Sequence, residues 1–132
     1  MNDRSLLPLS SILVPIDFSR SSVKALKSAC AFSNVFRAEL ILLHVIPPVP
    51  FLVKDIPAFN QGYFEKDIAN AARRRLDEIT REYDGLSAEV RTECIILQGN
   101  AAQKIIETAT DKDVDLIVMS SHGKSGISQV LF

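Results

Sequence analysis

Ser11-Ile12-Leu13-Val14-Pro15-Ile16, followed by Asp17-Phe18-Ser19, runs apolar without alternation and then breaks into helix-capping side chains. A continuous apolar run is what a strand covered on both faces requires, and that is the signature of a parallel sheet. Asp17 and Ser19 compete for the cap of the helix that follows. In that helix Val23, Leu26 and Cys30 share a stripe with Ala25, Ala29, Phe32 and Phe36 beside it. Lys24, Lys27, Ser28 and Asn34 fall opposite, so the wide stripe lies across a sheet.

The same grammar repeats outward. Glu39 to Ile46 is a second buried strand that stops at Pro47-Pro48, which can neither donate to a ladder nor continue a helix. Residues 47–62 are irregular, and a loop of that length in a compact domain is functional or mobile. Tyr63 to Asp84 is helical in period, with Ile68, Ala72, Leu76, Ile79 and Tyr83 on one face and Gly85 as the stop. Glu89 to Leu97 alternates, as a strand nearer the sheet edge does. Gly99-Asn100 opens a helix with Ile105, Ile106 and Ala109 inward. Asp115 to Met119 is a further buried strand, running into Ser120-Ser121-His122-Gly123-Lys124-Ser125-Gly126. Alternation of strands and helices demands right-handed crossovers and a sheet between helix layers. The expected fold is α/β, a doubly wound parallel sheet, with the start of a fourth helix after the last loop.

Composition limits function without naming it. The chain of 132 residues has the length of one domain, residues 1–132, with room for a single core. Fifteen basic against sixteen acidic residues give a formal charge of -1, no field for nucleic acid or an anionic membrane. Apolar runs such as Leu40–Ile46 are too short to span a bilayer, and no signal peptide is evident. The two cysteines, Cys30 and Cys94, form no C-x-x-C and read as buried reduced thiols. The expected location is cytoplasmic. The basic run Arg73-Arg74-Arg75 is interrupted by Asp77, Glu78 and Glu82, so it reads as a solvated helix face with pairs such as Arg74–Glu78.

In a doubly wound sheet ligands bind beyond the carboxyl ends of the strands, where strand order reverses. Those ends carry Pro15-Ile16-Asp17, His44-Val45-Ile46, and Met119 with the small-residue loop. Small residues there admit a close backbone approach, and helix N-terminal amides favour an anion, so a phosphate-bearing ligand is expected. Two familiar phosphate motifs fail. Gly123-Lys124-Ser125 ends like a P-loop, but Val118 stands where its first glycine belongs, and residues 17–22 contain no glycine for a dinucleotide fingerprint. His44 lies in an apolar strand and reads as a packed, hydrogen-bonded histidine, whereas His122 in the loop could reach a phosphate. No cluster at metal-ligand spacing accompanies either, so no metal site is expected. Ser121 and His122 are adjacent and lack a G-x-S-x-G elbow, and no catalytic residue is assigned.

Val14-Pro15-Ile16-Asp17-Phe18-Ser19, Leu42-Leu43-His44-Val45-Ile46 and the run from Asp115 to Gly126 together resemble the universal stress protein family. The resemblance covers essentially the whole chain. It implies strand order 3-2-1-4-5, ATP at the strand ends in one branch, and homodimers or higher oligomers paired through the fifth strand. The ATP pattern, G-x-x-G, nine residues, then G-[ST], sets Ser120 at its first glycine and Gly123 at its second. Its closing pair would follow Phe132, so a C-terminally shortened member is expected, lacking the fifth strand. Carried over, Asp17 approaches the nucleoside beside Pro15, and Val45 and Met119 flank base and sugar. Ser120 and Gly123 offer loop amides to the phosphates and Lys124 could add charge, while His122, by its place in the loop, either contacts a phosphate or is solvated; the phosphates could bring magnesium or manganese with them. The function implied is an ATP- or AMP-binding regulatory module in stress response, working on an unidentified protein partner. The alternative is a dimerising interaction protein of the same family without nucleotide. A slow ATP hydrolase ranks last, since only Asp17 and His122 could serve as a base near a γ-phosphate. The apolar end Val130-Leu131-Phe132 and an uncovered fourth strand argue for self-association.

Overall fold

The structure is a computed structural model that describes residues 9–48, 61–83, 85–120 and 128–131. Its elements are β1 (Ser11–Pro15), α1 (Arg20–Phe36), β2 (Glu39–Ile46), α2 (Gln61–Glu82), β3 (Thr92–Gln98), α3 (Ala101–Asp111), β4 (Leu116–Ser120) and β5 (Ser128–Leu131). The sheet runs β3-β2-β1-β4-β5. Its first four strands are parallel, and β5 lies antiparallel against β4, with Val118 opposite Val130. Among the described residues no helix is long and apolar enough to cross a membrane.

The unbroken apolar runs are buried on both faces, as their lack of alternation requires. On one face Ile12, Val14 and Ile16 meet Leu40, Leu42, Leu116 and Val118, covered by Ala25, Leu26, Ala29 and Cys30 of α1 and Leu76 of α2. On the other, Leu13, Ile41 and Leu43 pack under Ile105 and Ala109 of α3. Lys24 and Lys27 remain exposed, and Phe32 and Phe36 are half-buried at the margin of the first layer. β3 is the sheet edge, yet both its faces carry packed residues: Cys94 and Ile96 on one layer, Ile95 and Leu97 on the other.

Two expectations change at the C-terminal side. The residues after the last loop were expected to start a fourth helix; instead Ser128–Leu131 form a strand. A sheet ending at β4 was also expected, with its outer edge uncovered, but β5 pairs along that edge. Only seven residues separate β4 from β5, too few for a crossover, so the chain can return only antiparallel. β5 is therefore a hairpin return and not the parallel fifth strand that the family resemblance implies. The loop 49–60 lies outside the described residues.

A proline determines where the sheet opens. The Ile16 amide donates to the Leu43 carbonyl at 2.8 Å, so by alternation the backbone of Pro15 faces β4. Proline has no N–H to offer there. The β1–β4 ladder accordingly stops at Leu13 opposite Ile117, two residues before β1 ends. β1 and β4 part at their carboxyl ends, between strands whose crossover helices lie on opposite faces.

Candidate functional site

An open cleft occupies this parting. Pro15, Ile16 and Asp17 form one wall, Met119 and Ser120 another, Leu43 and Val45 the floor, and Ala101, Ala102 and Ile105 the side towards α3. Of the sequence-predicted residues, the fold thus brings Pro15, Asp17, Val45, Met119 and Ser120 together. His122, Gly123 and Lys124 lie outside the described residues.

Asp17 sits in a tight turn. Ser19 is the N-cap of α1, its side chain accepting the Ser22 amide at 3.1 Å, so Asp17 is released from capping. The Asp17 Oδ1 instead accepts the Ser19 amide at 2.9 Å, and the Ser22 hydroxyl donates to the Ser19 carbonyl at 2.9 Å. Partial burial pushes the Asp17 carboxyl up, but hydrogen bonds from the Ser19 side chain and amide and from Ser22 outweigh it and hold it below the usual carboxylate range. Asp17 is an exposed anion at neutral pH. Between it and Ser19, Phe18 takes φ 68, a left-handed backbone that is strained by about 1–3 kcal/mol in a bulky residue.

The α3 wall was not expected. Gly99 leaves β3 at φ 142, a conformation open to glycine, and Asn100 caps α3 by accepting the Gln103 amide at 3.0 Å. A Cβ at position 99 would also press within 2.9 Å of the Lys104 side chain. The first turn of α3 then lies against the cleft with two alanines that keep its backbone near the surface. Helix N-termini carry unpaired amides and partial positive charge, so this wall favours an anionic or polar ligand edge. Its only trace in the sequence is the small-residue run Gly99-Asn100-Ala101-Ala102 at a strand's carboxyl end.

His44 does not enter the cleft. Its Nδ1 lies 2.7 Å from the Ile16 carbonyl oxygen on the opposite face of the sheet, and its ring packs 4.5 Å from that of Phe18. Cys30 is buried and Cys94 half-buried, both as free thiols. Among the described residues no group of three or more His, Cys, Asp or Glu side chains could hold a metal ion.

Residues 9–132 match the family model described as the universal stress protein family. Universal stress protein MJ0577 of Methanocaldococcus jannaschii is 32% identical over 133 residues, covering 91% of this chain and 81% of that protein. Universal stress protein YxiE of Bacillus subtilis is 31% identical over 124 residues, covering 91% and 84% respectively. The solved structure of hypothetical protein MJ0577 superposes with a TM-score of 0.73 at 30% identity over 92% of this chain and 81% of its own. A universal stress protein solved in complex with cAMP, 19% identical, shares the fold with a TM-score of 0.57 over 83% of this chain and 70% of its own.

Proposed function

The chain belongs to the universal stress protein family, and on that premise we propose that it is an ATP- or AMP-binding regulatory module of the stress response. The observation that carries this reading is the cleft between the parted ends of β1 and β4, which gathers Pro15, Asp17, Val45, Met119 and Ser120. The donor set suits a nucleoside. Val45, Met119 and Ile105 offer apolar surface for a base, and the Asp17 carboxylate is an acceptor for ribose hydroxyls. Ser120 and the first turn of α3 offer hydrogen-bond donors on the side where phosphates would leave. Magnesium or manganese would arrive on those phosphates. Occupancy would then alter how the surface around the strand ends meets a protein partner.

The competing reading is an interaction module of the same family without nucleotide. Ser120, standing where the family's phosphate motif has its first glycine, favours it. Thermal unfolding separates the two. A ligand at one hundred times its Kd stabilises a fold by about 2.7 kcal/mol, so saturating AMP or MgATP should raise Tm by several degrees in the native chain. Asp17→Ala should abolish the rise. An unchanged Tm with every adenine nucleotide would favour the interaction module. Self-association stays a proposal under either reading, although β5 now covers the β4 edge that argued for it, and a monomer in sedimentation at micromolar concentration would remove it.

A further inference from the structure

Asp17 and Phe18 are neighbours in sequence, but they serve opposite faces of the sheet. Asp17 lines the cleft with Leu43 and Val45, on the side of α3. Phe18 packs on the layer beneath α1 and α2. There its ring has two partners: the His44 ring of β2 lies tilted by 38° with its centroid 4.5 Å away, and the Arg75 guanidinium carbon of α2 lies over it, 4.1 Å from its centroid. His44 is itself fixed through the Ile16 carbonyl at 2.7 Å. Two elements, β2 and α2, thus converge on one ring.

The reason for that convergence lies in the backbone. At φ 68 Phe18 occupies a region that bulky side chains avoid, and such strain persists only where the surroundings hold it. A glycine would adopt this turn freely, but would leave it free to open as well. The side chain supplies the hold. If the ring moved, Phe18 would relax towards ordinary φ, and the Ser19 amide would leave the Asp17 carboxylate.

We propose that Phe18 is a positioning residue for Asp17, locked by Arg75 and His44 from the far face of the sheet, so that a surface side chain of α2 governs the acidic group of the cleft. This deepens the nucleotide reading and rests on it only for the consequence in binding; the locking of the turn stands independently. It also gives Arg75 a role apart from the solvated face to which the arginine run was assigned. The guanidinium carbon lies over an aromatic face, where arginine's planar, weakly hydrated head can pack in a way that lysine does not reproduce.

The test compares the full chain with Phe18→Leu, which changes no charge, with Arg75→Ala, which changes only a surface side chain, and with Phe18→Tyr. The Ser19 amide exchange rate and the Asp17 carboxyl titration are followed by NMR without nucleotide. Loss of a cation–π contact predicts roughly 2- to 30-fold faster Ser19 exchange in Arg75→Ala, and at least as much in Phe18→Leu. The Asp17 midpoint should rise towards the ordinary carboxylate value in Phe18→Leu, and Phe18→Tyr should restore both signals. Where the native chain binds MgATP, Phe18→Leu and Arg75→Ala should weaken it while unfolding stays cooperative. Unchanged Ser19 exchange in Arg75→Ala overturns the lock, whether or not Phe18→Leu folds. A native chain that binds no nucleotide, with faster Ser19 exchange in the variants, defeats the nucleotide reading and upholds the lock.

Discussion

His44 Nδ1 stands 2.7 Å from the Ile16 carbonyl oxygen, bracing β2 against the residue that follows β1. A carbonyl can only accept, so Nδ1 is the protonated nitrogen of this ring. His44→Phe keeps an aromatic ring beside Phe18 but leaves the Ile16 carbonyl without its donor. The variant should lose about 1 kcal/mol in urea unfolding, seen as a lower midpoint at unchanged slope. Equal midpoints would show that the bond contributes nothing.

Ser33 should be a site of easy stabilisation. It is fully buried in α1, and its hydroxyl has no hydrogen-bond partner among the described residues. Ser33→Ala removes an unsatisfied polar group and leaves the helix backbone intact. A gain of about 1 kcal/mol is expected, with a Tm increase of a few degrees. A loss of stability would mean that the hydroxyl is bonded after all.

The wall formed by α3 depends on Asn100. Its side chain accepts the Gln103 amide at 3.0 Å, and its carbonyl accepts the Lys104 amide at 2.9 Å. Asn100→Ala should lower stability by about 1 kcal/mol, whereas Asn100→Asp should hold it. Hydrogen exchange in residues 101–105 would report whether the first turn frays in the alanine variant alone.

Burial pushes the Cys30 thiol up from its ordinary value of 9.0 to about 11. The folded state therefore prefers the neutral thiol. That preference is fully present below pH 9 and is lost as pH rises towards 11, since the unfolded chain ionises first. Two pKa units correspond to about 2–3 kcal/mol, so stability should fall by that order across the interval. In Cys30→Ala this part of the alkaline decline should vanish. Parallel declines in the two proteins would place the loss elsewhere.

The parallel sheet was legible because three apolar runs, those of β1, β2 and β4, each needed two covered faces, while the order β3-β2-β1-β4 came with the family resemblance. Asp17, Val45 and Met119 were legible as strand-end residues because the parallel sheet sets its carboxyl ends side by side. The α3 wall was not. Ala101 and Ala102 carry no distinctive chemistry, and their place beside Pro15 comes from a crossover that only the assembled sheet defines. Ser128–Leu131 misled because a four-residue segment is too short for periodicity to separate helix from strand. Arg75 is exposed, as the solvated helix face requires, but its contact with the ring of Phe18, fifty-seven positions away, leaves no mark in the sequence.

Calorimetric titration of the native chain with MgATP and with AMP, beside Asp17→Ala, tests the nucleotide cleft most directly. Saturable one-to-one binding at micromolar affinity is expected, lost or weakened more than about tenfold in Asp17→Ala, a loss of about 1.4 kcal/mol. No heat in a chain shown to be folded and free of carried-over nucleotide, or equal binding by Asp17→Ala, would contradict it.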